Sequence, residues 1–64
     1  MRKIEIGQSY KKALPPWSVW EVLARASDLS GIRHLRIRNI KDPTITKLIS
    51  ESTIADQKLY QLIE

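Results

Sequence analysis

The alternation of polar and apolar positions is clearest in the middle of the chain. Leu35, Ile37 and Asn39 alternate with His34, Arg36 and Arg38, a period of two that gives a strand one largely apolar face and one basic face. A helix would spread those arginines around its circumference. Asp42 favours a turn and Pro43 has no backbone N–H, so residues 41 to 44 are predicted to reverse the chain into Ile45-Thr46-Lys47-Leu48-Ile49, a short β-branched run. Residues 32 to 50 thus read as a hairpin. The inward face of its second strand stays open, because Ile45 and Ile49 share a parity with Lys47 while Leu48 has the other.

The stretch from Ser18 to Gly31 supports two readings. Ser18-Val19-Trp20-Glu21 fits a capping box, Val19, Val22, Leu23, Ala26 and Leu29 follow at helical spacing, and Gly31 sits where a helix ends. Against this, Trp20, Val22, Ala24 and Ala26 alternate with Glu21 and Arg25, and Val19-Trp20-Glu21-Val22 is rich in strand formers. On the second reading Asp28-Leu29-Ser30-Gly31 is the turn into the next strand.

Turn signals recur at Gly7, Pro15-Pro16, Asp28 to Gly31 and Lys41-Asp42-Pro43, a rhythm that suits short strands in a small β-barrel. The residues that punctuate it also carry a resemblance. Gly7 and Tyr10, Val19-Trp20-Glu21-Val22, Gly31-Ile32-Arg33-His34, Asp42-Pro43, Lys47-Leu48-Ile49-Ser50, Ile54-Ala55-Asp56 and Tyr60 together resemble a pattern in a group of short bacterial proteins. Their order of elements is similar to an SH3-like barrel, in which a short 3₁₀ turn precedes the last strand. The resemblance implies a fold and no activity. It decides for an all-β, five-stranded SH3-like small barrel, with an α+β fold containing a helix at about 18–30 as the alternative. The expected strands are residues 8–14, 17–27, 32–40, 44–50 and 59–63, with a 3₁₀ turn near Ser52 to Asp56. Met1 to Ile6 either adds an edge strand or frays. Tyr10, Trp20, Val22, Leu35, Ile37, Ile49, Ile54 and Leu62 are the expected core.

Composition narrows the class. Sixty-four residues make one small domain, since a chain this short buries only about 60% of its unfolded surface. A hydrophobic fraction of 42% against 28% charged residues excludes the composition of a disordered chain. The absence of cysteine removes disulfides, thiolate nucleophiles and thiolate zinc sites, and fits a reducing cytoplasm. The basic start Met1-Arg2-Lys3 is followed by Ile4-Glu5-Ile6-Gly7, which breaks a signal-peptide pattern. No window approaches the roughly 18 apolar residues of a membrane span, so no membrane partner is expected.

The parts for catalysis are few: one His, seven carboxylates and two glycines, with no glycine-rich loop, no nucleophile elbow and no metal-ligand spacing. A non-enzymatic protein without cofactor or metal is expected, and His34 reads as a surface or partly packed residue. Asp42 and Asp56 read as turn residues. Charge is the uneven feature. Residues 1–12 carry +3 and residues 33–47 carry +4, whereas 13–32 and 48–64 are acidic by one and two charges. Arg36 and Arg38, two apart on a strand, lie about 7 Å from each other, close to the spacing of phosphates along one nucleic-acid strand. His34, Arg36, Arg38, Lys41 and Lys47, with Trp17 beside Pro15-Pro16 as a stacking residue, are therefore the candidate nucleic-acid-binding set. Tyr60 is a second stacking candidate, while Trp20 reads as core. A solvated basic face that keeps the strand soluble accounts for the same pattern without a ligand. The alternative function is a protein interaction or assembly module that uses Trp17, Leu23 and an exposed strand edge.

Overall fold

The computed structural model describes residues 4–27 and 29–63. Its elements are β1 (Ser9–Lys12), β2 (Val19–Ser27), β3 (Arg33–Asn39), β4 (Thr46–Ser50), the short helix α1 (Glu51–Ala55) and β5 (Tyr60–Ile63). The strands form one antiparallel sheet in the order β4-β3-β2-β1-β5, curled into a half-barrel. The all-β reading of the sequence therefore holds, and the helical alternative over residues 18–30 does not form.

The contested segment becomes a strand because it can bond on both sides. Tyr10 pairs with Trp20 across β1, and Val22 pairs with Ile37 across β3, so the backbone groups of Val19 to Val22 are satisfied while Trp20 and Val22 are buried. The register shifts between Val22 and Ala24. Leu23 is the extra residue of this β-bulge, and beyond it the alternation inverts. Arg25 rather than Ala24 or Ala26 then lies opposite the buried Leu35, and its guanidinium donates to the carbonyl of Ile4.

The core is Ile4, Tyr10, Trp20, Val22, Leu35, Ile37, Ile54 and Tyr60, with Ile49 and Leu62 packed half-buried against it. Two of these differ from expectation. Tyr60, a stacking candidate in the sequence, is only 5% exposed and lines the concave side of the sheet. Ile4 is equally buried although residues 4–8 form no strand; a turn closed by the Gln8 N–H on the Glu5 carbonyl (3.2 Å) brings it over the core. Gly7 makes that turn at φ +94°, a conformation side-chain-bearing residues rarely adopt. Met1 to Lys3, the rest of the expected edge strand or frayed end, lie outside the described residues, as does Asp28 in the β2–β3 turn.

The expected 3₁₀ turn is instead one turn of α-helix one residue earlier, Glu51–Ala55. Ser50 caps it, its hydroxyl accepting from the Thr53 N–H (3.3 Å), and Ile54 is its buried residue. Asp56 then turns the chain into β5, its carboxylate accepting from the Lys58 N–H (2.9 Å). The β3–β4 reversal is built in the same way. The Asn39 side-chain oxygen accepts from the N–H groups of Lys41 and Asp42 (2.9 and 3.0 Å), and Asp42 accepts from Thr44.

Candidate functional site

Alternation along β3 puts Leu35 and Ile37 on the concave side, both fully buried, and therefore His34, Arg36 and Arg38 on the convex side. The neighbours of this row follow from register: His34 lies between Ala26 and Ser50, Arg36 between Ala24 and Leu48, and Arg38 between Glu21 and Thr46. Arg38 is half-buried and donates to the Glu21 carboxylate at 2.6 Å. Among the described residues Arg36 has no carboxylate as a cross-strand neighbour, and it is exposed. Arg36 is thus the more available cation of the pair, whereas Arg38 must share its guanidinium with Glu21.

Lys47 does not join this row. It pairs with Ile37, which sends its side chain to the concave side, where Nζ lies 4.3 Å from the centre of the Trp20 ring and donates to the Tyr60 hydroxyl at 3.1 Å. This contact spans from β4 to β5, the two outer strands of the sheet. Its parity in the sequence was open, and the structure resolves it with Ile49 inward and Leu48 outward. Lys47 is therefore separated from the candidate set and placed as a packing residue. Lys47→Met is expected to cost about 0.5 to 1 kcal/mol, the worth of an exposed cation–π contact, in urea denaturation. Binding to an anionic ligand on the convex face should be unchanged by it.

Trp17 and Lys41 line one cleft at the end of the convex face. The Ile40 N–H still donates to the Val19 carbonyl (3.0 Å), so Ile40 continues the outward row Arg36, Arg38, Ile40 one step beyond β3. Lys11 lies opposite Val19 on the other side. Around them a cleft of about 510 Å³ is lined by Trp17, Val19, Ile40, Lys11, Lys12 and Lys41, among others. Trp17 is 76% exposed, as its place after Pro15-Pro16 predicted. Lys11, Lys12 and Ile40 were missed as site residues, although the Lys11-Lys12 pair was visible as part of the basic first segment. Asp42 follows Lys41, but the hydroxyl and the N–H of Thr44 (2.6 and 3.1 Å) bind its carboxylate into the turn and lower its pKa.

His34 Nδ1 donates to the Ile32 carbonyl, just before β3, at 3.0 Å. Among the described residues no group of three or more His, Asp or Glu side chains is placed to hold a metal ion, and no helix is long and apolar enough to cross a membrane. No family model matches the chain, and no match is found among curated proteins or solved structures.

Proposed function

We propose that the protein is a non-enzymatic binding module that contacts the nucleic-acid backbone through the convex face of its sheet, with Arg36, Arg38, Lys41 and Lys11 as the phosphate-contacting residues. The observation that carries this reading is the row Arg36, Arg38, Ile40, which leads without interruption to the lysine-rimmed cleft. Four cations lie along this face beside two carboxylates among the described residues: Glu21 is paired with one of those cations, Arg38, and Asp42 is bound by Thr44. Successive outward residues on a strand are about 7 Å apart, which matches one phosphate step of a nucleic-acid strand. The strand order with β1 between β2 and β5, and a short helix before β5, supports the SH3-like form of the barrel. The cysteine-free composition supports a cytoplasmic setting.

A second reading, as a protein interaction or assembly module, is favoured by the sheet's two outer strands, β4 and β5, each paired on one side only. Leu48 and Ile63 on them are exposed, as suits β-augmentation by another chain. Salt separates the two. Each phosphate contact to a single strand contributes about −0.7 to the slope of log K against log salt, so three to four contacts predict a slope of about −2 to −3. Fluorescence anisotropy with a labelled oligonucleotide across a salt series measures it. A flat salt response, or no binding at low salt, overturns the nucleic-acid reading in favour of the strand-edge one.

A further inference from the structure

Among the apolar side chains left exposed, Trp17 and Ile40 stand together at the lysine-rimmed cleft, Ile40 being 48% exposed. The cleft's volume of about 510 Å³ lies in the range of small-ligand sites, about 300 to 1,000 Å³. Its lining combines Trp17, Val19 and Ile40 with three lysines, Lys11, Lys12 and Lys41, and among the described residues contains no Asp or Glu. Such a surface is complementary to a ligand with a flat apolar face and negative charge beside it.

We infer that the cleft takes one unpaired base of a single-stranded nucleic acid against Trp17, while Lys11, Lys12 and Lys41 hold the flanking phosphates. The inference rests on the backbone-binding reading above and narrows it to single strands. A base has a π-face for an indole whatever its identity, so stacking on one aromatic gives affinity without sequence preference. In a duplex both faces of each base are covered by its neighbours. Ile40 also borders a shallow depression that contains Glu21 and Arg38, so a strand leaving the cleft runs directly onto Arg38 and then Arg36. Aromatic and basic residues also mark surfaces that lie on anionic lipid. Here Arg38 and Arg36 lead away in a line from the three lysines around one indole, which follows a chain of phosphates better than a plane of headgroups.

The test is anisotropy at low salt with a labelled thymidine oligonucleotide of about twelve residues, within the span of small-barrel binding sites. Wild type, Trp17→Ala and Trp17→Phe are compared, with circular dichroism as the check on folding. The competitors are a duplex, an abasic strand of the same length and phosphatidylserine vesicles. Trp17→Ala is expected to weaken binding about 5- to 150-fold, the loss from one stacked base, while Trp17→Phe retains most of the affinity. The abasic strand should bind wild type about as weakly as the oligonucleotide binds Trp17→Ala, and the duplex should compete poorly. If wild type binds the oligonucleotide but Trp17→Ala binds equally well, or duplex and abasic strand compete as well as the single strand, the base-binding cleft is wrong and the backbone reading stands. No binding to any of the nucleic acids removes both. Vesicle binding that Trp17→Ala abolishes, with no oligonucleotide binding, assigns the cleft to a lipid surface instead.

Discussion

Trp20→Ala is expected to cost about 3 to 5 kcal/mol and to leave much of the chain unfolded at room temperature. Trp20 is 7% exposed and belongs to a core of eight buried residues among those described. Its ring packs under Lys47 Nζ, and its indole N–H donates to the Ser18 hydroxyl at 2.7 Å. Truncation removes the ring, its lysine contact and the partner of that hydroxyl together. At about 0.05 to 0.15 kcal/mol per residue, a domain of this size has roughly 3 to 10 kcal/mol in total. Urea denaturation followed by circular dichroism measures the loss. Trp17→Ala in the same experiment should stay within about 0.5 kcal/mol, as for an exposed side chain away from the core. Equal losses from the two substitutions would mean that the buried indole has been misassigned.

The second large effect is expected on binding. Arg36→Glu combined with Lys41→Glu should abolish oligonucleotide binding while the chain stays folded, because both side chains are exposed. The milder pair Arg36→Gln and Lys41→Gln should reduce the salt slope by about 0.7 per residue. Arg38 is the poorer choice for reversal: a carboxylate there would face Glu21 across the β2–β3 pair, and the repulsion would mix a stability change into the binding result. Lys58→Glu, in the turn before β5, is the control and should do little. Binding that survives the reversal of Arg36 and Lys41 would remove the convex face as the site.

The fold was legible where alternation was long and uninterrupted, as in Arg33 to Asn39. The segment after Ser18 was harder, since helical spacing and strand alternation coexist there. Neither pattern alone predicts its packing, because the bulge at Leu23 exchanges the two faces halfway along. Ala26, apolar and in phase with Trp20 and Val22, ends exposed, while Arg25 reaches toward the Ile4 carbonyl. A bulge leaves no composition signal of its own.

The candidate site was legible in part for a related reason. Arg36, Arg38 and Trp17 were placed by local pattern, and their exposure or facing follows that pattern. Lys47 was not, because its parity matched both Ile49 and a solvent-facing lysine, and only the proximity of Trp20 and Tyr60 across the curled sheet gives an inward ammonium group two aromatic rings to rest on. Tyr60, a stacking candidate by sequence, sits on a strand too short to show a period, so its inward face is not readable from the pattern. The cleft itself joins residues from the first, second and third strands and their loops, a juxtaposition that only the β1–β2–β3 pairing creates.

Binding of the nucleic-acid backbone by the convex face, from Arg36 to the Trp17 cleft, is checked residue by residue in an NMR titration with a short single-stranded oligonucleotide at low ionic strength. The predicted result is a set of chemical-shift changes confined to Lys11, Trp17, Arg36, Arg38, Ile40 and Lys41 and their neighbours, reversed by added salt, with the Trp17 indole signal moving and that of Trp20 still. No shifts at low ionic strength, or shifts centred on the outer edges of β4 and β5, would contradict it.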